Sequence, residues 1–409
     1  MAPSRTRRGS GWLPGLILIL ILLAAVGAGG YFVLHAVFPG WFSPEPESQP
    51  SVGRTLPETA QPEPAPEPEP EPEPEQFVTL MALGDDLVHN CVYWSAELPE
   101  GGYDFTPFFE DIRPVAEQYD IACIQQETIL VRDRSMIASY PVFGTPVEIA
   151  DALEWAGFDV LTCASNHCFD KGETGVTDTL GYLRESCPGL TALGIHDSES
   201  DLQTPCVIEK NGIRIAMLNF TYGLNGMMPQ KTWMVDTFDD PDTVSARVQQ
   251  AKAVSDFVIV FAHWGTEDTF RPDAYQESWA QILADAGAGL IIGCHTHTLQ
   301  PLGAVSVRGG SDVPVFWSLG NFLSHQIEPK NMLGGMASVT LRKSGDTVTV
   351  EECELIPTVT VIIRNTEGDW YRYRPMLLSD YTPEIAATHR VEGCSVEQMQ
   401  KLFRQITEG

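Results

Sequence analysis

Five apolar stretches of this 409-residue sequence each end in residues able to bind metal or move protons. "MALGDDLVHN" supplies Asp85, Asp86 and His89, and "IACIQQETIL" supplies Glu127. "VLTCASNHCFDKGE" supplies Asn166, His167 and Asp170, "IVFAHWGTED" supplies His263, and "IIGCHTHTLQP" supplies His295 and His297. Carboxylate, amide and imidazole groups suit Mn, Fe or Zn. A carboxylate shared by two such ions and ringed by His and Asn is the arrangement of a hydrolytic centre, which activates water and polarises the bond attacked. Taken singly, each motif has an ordinary role: "GDD" makes a turn, "SNH" caps a helix, and His263 packs beside Trp264. Five such strand ends in one chain favour a shared site.

The elements that must position these residues are legible as patterns. Apolar runs at 77–84, 119–125, 158–164, 256–265 and 289–294 read as short buried strands. Helical patterns lie between them at 145–157, 172–186, 242–254 and 273–287. Strand then helix, repeated, predicts a mostly parallel sheet covered on both faces, with polar residues gathering at the carboxyl ends of its strands. Two hairpins interrupt this texture: 206–220, with Asn211-Gly212 at its centre, and 336–357, with Ser344-Gly345-Asp346 at its turn. The expected fold class is therefore α/β, a two-sheet sandwich flanked by helices. A final amphipathic helix over 395–406 is expected to pack back on the domain, with partner binding as the other reading.

The first 76 residues do not belong to that domain. Arg5, Arg7 and Arg8 precede an apolar run from Leu16 to Phe38, long enough to cross a hydrocarbon core of about 30 Å. This predicts a transmembrane anchor within 1–42, the N-terminus cytoplasmic and the rest of the chain outside the membrane. A signal peptide cleaved near Val26-Gly27-Ala28 is the competing reading. Residues 43–76 alternate Pro with Glu and read as a solvated stalk. Of the formal charge of −30, the anchor segment carries +3 and the stalk −8, leaving −25 on residues 77–409. So acidic a domain excludes nucleic acid or anionic lipid as partners held by nonspecific attraction. The nine cysteines form an odd set without CxxC spacing, so no disulfide framework is readable.

In these motifs the chain resembles the bacterial capsule-synthesis CapA family, of the poly-gamma-glutamate biosynthesis type, which has a calcineurin-like metallophosphoesterase fold. The matching pieces are "MALGDDLVH", "QQETIL", "ASNHCFDKGETGVTDTLGYL", "FAHWGTED", "GCHTHTLQP" and "FWSLGNF", in the family's order. They define a domain over 77–360, followed by a C-terminal extension, 361–409, packing on it. The resemblance implies two divalent ions: Asp85 and His297 would hold one, Asn166, His263 and His295 the other, and Glu127 would bridge them. His167 would protonate the leaving group, and His89 would be a further ligand or pocket residue. Asn321, Tyr222 and Trp264 would be substrate contacts.

Two departures stand out. Leu87 occupies the place where the phosphoesterase motif has His, leaving His89 as the nearest imidazole, and Glu127 stands where Asp is usual. Three functions follow from the resemblance. The first is a membrane-anchored, extracytoplasmic metallohydrolase acting on a capsular or cell-envelope polymer such as poly-gamma-glutamate, at a gamma-glutamyl amide or phosphoester bond. The second is a non-catalytic metal-binding scaffold working with membrane polymer-synthase subunits. The third is a general phosphoesterase or nucleotidase, against which both departures weigh.

Overall fold

The apolar runs of the sequence become strands covered on both faces. The computed structural model describes residues 75–307, 309–364 and 371–408, so the expected anchor and nearly all of the stalk lie outside the described residues. Among the described residues, no helix is long and apolar enough to cross a membrane.

The strands in chain order are β1 (Gln76–Asp86), β2 (Ile121–Gln126), β3 (Leu130–Val131), β4 (Thr145–Pro146), β5 (Val160–Thr162), β6 (Thr191–Leu193), β7 (Cys206–Lys210) and β8 (Ile213–Thr221). They continue as β9 (Phe257–His263), β10 (Leu290–Cys294), β11 (Leu302–Val305), β12 (Val313–Phe316), β13 (Asn321–Leu323), β14 (Leu333–Ser344), β15 (Thr347–Arg364) and β16 (Tyr371–Leu377). One sheet has the order β16-β15-β14-β1-β2-β5-β6, with β13 also pairing β1, and the other β11-β12-β10-β9-β8-β7. Within the first, β1, β2, β5 and β6 run parallel and β14, β15 and β16 extend the sheet antiparallel. In the second, β8, β9, β10 and β12 are parallel, with antiparallel β7 and β11 at the edges.

Strand alternation decides what each face carries. Along β9, Phe257, Ile259 and Phe261 belong to the larger core, shared with residues of the first sheet. Val258, Val260 and Ala262 belong to a second core, with Val248 and Leu283 of the helices Pro241–Ala253 and Ala274–Ala286. His263 continues the inward set, while Trp264 belongs to the second core.

Local chemistry fixes the connections. Asn211 and Gly212 both take positive φ, 49° and 78°, as a two-residue type I′ hairpin requires. Gly345, at φ 58°, turns β14 into β15 through two residues. The helix Ala274–Ala286 starts with a capping box between Asp273 and Gln276 and stops at left-handed Gly287. The boundary expected at 360 falls inside β15, and the segment beyond it supplies β16 to the same sheet. The last helix, Val396–Glu408, buries Met399 and Ile406 against the larger core.

One close approach sets the position of the first strand end. The Asp85 backbone N–H donates to the Gly320 carbonyl at 2.8 Å. A Cβ at Gly84 would lie 1.9 Å from that same carbonyl oxygen, so only glycine permits the contact. Gly84→Ala is expected to destabilise the fold by about 3 kcal/mol or more, read as a lowered urea midpoint. An unchanged midpoint would contradict this packing.

Candidate metal centre

The carboxyl ends of β1, β2, β5, β9 and β10 meet between the two sheets, and each delivers one loop. Asn219, an amide on the inward face of β8, accepts the Ala164 backbone N–H at 2.6 Å, pinning the strand that leads to Asn166 and His167. His295 and His297 have φ of 96° and 55°, left-handed conformations uncommon for residues with a side chain. Thr296 between them anchors the loop, its hydroxyl bonding the Thr298 carbonyl and the Ser318 hydroxyl, both at 2.8 Å.

The result is a buried cluster. Ligand atoms of Glu127, His295 and His297 all lie within 4.8 Å of one another. His297 Nδ1 is 3.3 Å from Asp85 Oδ2 and 3.8 Å from Glu127 Oε2. His263 Nδ1 is 3.9 Å from Asp85 Oδ1, and its Nε2 is 3.9 Å from Glu127 Oε1 and 2.8 Å from Asn166 Oδ1. The structure thus gathers Asp85, Glu127, Asn166, His263, His295 and His297 in one place.

Its electrostatics are those of a site built around a cation. Burial pushes the Glu127 carboxyl well above the usual carboxylate range, an effect that His297 partly offsets and Asp85 reinforces. Burial and neighbouring imidazoles push His263 and His295 well below theirs, which keeps them neutral with lone pairs free. For His297, burial acts downward, but the Glu127 and Asp85 carboxylates outweigh it and push the imidazole up to about 10. Both Glu127 oxygens and the Nδ1 atoms of His263 and His295 are buried without any hydrogen-bond partner. Orphaned polar atoms of this kind are costly in an interior, and a carboxylate with neutral imidazoles is a donor set for divalent metal. The residues present fit such an ion.

Around the cluster lie groups that orient it. His167 Nδ1 is 2.7 Å from Asp170 Oδ2, and that oxygen also accepts the Phe143 backbone N–H at 2.7 Å. Phe143 stands edge-on to both His167 and His89, with centroids 4.7 Å and 5.5 Å away. His89 lies outside the tight cluster, its Nδ1 taken up by the His325 backbone N–H at 3.2 Å. Burial pushes His89 down to about 4, with the Leu87 carbonyl acting against it. Tyr222, over a third exposed, packs its ring 4.5 Å from His295 at the cleft rim. Asp86 is fully buried, and neither of its carboxylate oxygens has a hydrogen-bond partner.

Two expected substrate contacts are corrected by their surroundings. Trp264 is completely buried, stacked between Phe238 and Trp317, with its indole N–H donating to the Trp317 carbonyl at 3.0 Å. Strand alternation turns it to the helical side, away from the cleft. Asn321 is buried on β13, and its Oδ1 lies 3.2 Å from His297 Nδ1 while its amide N–H donates to Gln326. It orients a cluster imidazole, as a carbonyl behind a metal-binding His does. Sequence reasoning missed Asn219, and from the run "TYGLNG" (221–226) it took Tyr222 but not Asn225. Asn225 takes a left-handed φ of 50°, and its side chain lies between Asn166 and His167. The signals were present, in a lone amide within the apolar strand "IAMLNF" and in the turn-forming Asn225-Gly226 pair.

Mn²⁺ or Zn²⁺ added to chelator-treated full-length chain is expected to raise its unfolding temperature. Glu127→Gln, which removes the charge but keeps the shape, is expected to weaken metal binding at least tenfold in elemental analysis and to remove most of that shift. Equal metal content in the variant would contradict the assignment.

Residues 79–326 match the family described as "Bacterial capsule synthesis protein PGA_cap". The chain is 33% identical over 203 residues to "PGA biosynthesis protein CapA" of Bacillus subtilis, covering 49% of this chain and 52% of that protein. It is 32% identical over 206 residues to "Capsule biosynthesis protein CapA" of Bacillus anthracis, covering 49% and 48%. The chain therefore spans about half the length of these relatives. Among solved structures it is similar to the NAD nucleotidase of Haemophilus influenzae, at 12% identity and a TM-score of 0.44, covering 81% of this chain and 56% of that one. A likeness of that size transfers neither fold nor activity. The family match runs through every strand end that supplies the cluster, and on it the chain belongs to the bacterial capsule synthesis protein PGA_cap family.

Proposed function

We propose that this chain is a metal-dependent hydrolase anchored by its N-terminal segment, acting outside the cytoplasm on a capsular or cell-envelope polymer such as poly-gamma-glutamate. The observation that carries the reading is the buried Glu127 carboxylate, partnerless among imidazoles. Glu127 would be shared by two divalent ions, with Asp85 and His297 on one side and Asn166, His263 and His295 on the other. When bound, such ions supply an activated water and polarise the bond attacked.

The chain's own residues do the rest. Asp170 holds His167 Nδ1, which leaves Nε2 as the atom that carries a proton to the leaving group as the scissile bond breaks. In hydrolysis of a gamma-glutamyl amide, the C–N bond breaks, the carbonyl carbon gains the water oxygen, and the leaving nitrogen takes the proton. Asn225 and Phe143 confine the imidazole from two further directions. Tyr222 at the rim offers an aromatic face next to His295. The strongly acidic domain would repel a polyanion in bulk, so cations at this centre are the attractive element for such a substrate.

Release of glutamate oligomers from poly-gamma-glutamate by the metal-loaded, full-length chain tests the reading. His167→Ala is expected to lower the rate by about 10²–10⁴-fold while metal content stays unchanged. Full activity in that variant would contradict the role of His167, and no release of products by the wild type would contradict the hydrolase reading.

A further inference from the structure

A second concavity, of about 340 Å³, opens where β6 meets β8 and the helix Gly172–Ser186. Its volume is in the range of small-ligand sites. One wall is aliphatic, from Leu180, Leu183, Leu190, Leu193 and Met217. The other carries Arg184, His196, Asp197, Asp201, Asp236 and Arg247. None of these residues belongs to the metal cluster.

The polar wall is built rather than incidental. Asp236 and His196 are 3% and 8% exposed. Asp236 is ion-paired with Arg247, and its Oδ2 lies 3.1 Å from His196 Nε2. His196 Nδ1 is 3.1 Å from Asp201 Oδ2. At the mouth, Arg184 pairs with Asp197. Burial lowers the proton affinity of His196, but Asp236 and Asp201 outweigh it and hold the ring toward its charged form. Three basic and three acidic groups then face the cavity.

Such a balanced set discriminates by charge. A polyanion entering the cavity would meet three carboxylates, and a free amine would meet two guanidinium groups. These groups are already paired with one another, so a ligand carrying both signs can exchange into the pairs without leaving a charge uncompensated. The two most open partners are Arg184 and Asp201, with side chains 65% and 49% exposed. We propose that this cavity binds a small zwitterion, a free amino acid or peptide unit with an aliphatic side chain, its carboxylate on Arg184, its ammonium on Asp201 and its side chain on the leucine wall.

Calorimetric titration of the full-length chain with L-leucine at neutral pH tests this, with 4-methylpentanoate and isopentylamine as probes that each lack one charge. Saturable one-to-one binding of leucine is expected, at least tenfold tighter than either probe, weakened at least tenfold by Arg184→Ala and by Asp201→Ala, and unchanged by a metal chelator. Circular dichroism of these two surface variants checks that the fold is retained. Absence of saturable leucine binding overturns the proposal. So does equal binding of either single-charge probe, or leucine binding that the chelator abolishes while both variants keep it.

Discussion

A carboxylate with no partner, buried where two sheets converge, is the constraint that organises this protein. Glu127 is fully enclosed and neither oxygen is hydrogen-bonded among the described residues. An isolated ionised carboxylate in an interior costs several kcal/mol, which a fold tolerates only where something else resolves it. Without metal, the charge on His297 is a partial answer: burial still holds the Glu127 carboxyl well above the usual carboxylate range, while the Glu127 and Asp85 carboxylates push His297 up to about 10. The neutral His263 and His295 contribute nothing to it, since they are poised as lone-pair donors. A set with one carboxylate in surplus and two imidazole Nδ1 atoms without partners suits a divalent cation.

The surrounding architecture keeps that set in register. Gly84 lets β1 run against the Gly320 carbonyl, which places Asp85 beside His297. Asn219 reaches from the second sheet to the strand that ends in Asn166 and His167. Asn321 holds the His297 ring, and Asp170 holds that of His167. Apart from the local Asp170–His167 pair, these ties join segments well separated in sequence, so the centre forms only once both sheets are assembled. The left-handed backbone at His295 and His297 belongs to the same account, because local strain persists where surrounding contacts over-determine it.

Much of this was legible in the sequence, for identifiable reasons. Asn211-Gly212 can do little but turn a hairpin, and both residues take the positive φ expected of it. Strand ends were readable because each apolar run stops at a polar group, so the six cluster residues could be named before their neighbours were known. Facing was not readable where both faces of a strand are apolar. "DFVIVFAHW" alternates between two cores, and nothing local distinguishes the side of His263 from that of Trp264. The orienting role of the amides was not readable for a related reason: Asn219, unnamed, and Asn321, named as a substrate contact, act through partners 55 and 24 residues away, at Ala164 and His297.

Anomalous diffraction from crystals of the metal-loaded chain, collected at the absorption edge of the ion supplied, tests the central claim most directly. The account predicts a peak within bonding distance of Glu127, with His295 and His297 among the ligands. A map without such a peak, in which the Glu127 carboxyl is ordered and hydrogen-bonded to His297 alone, would contradict it.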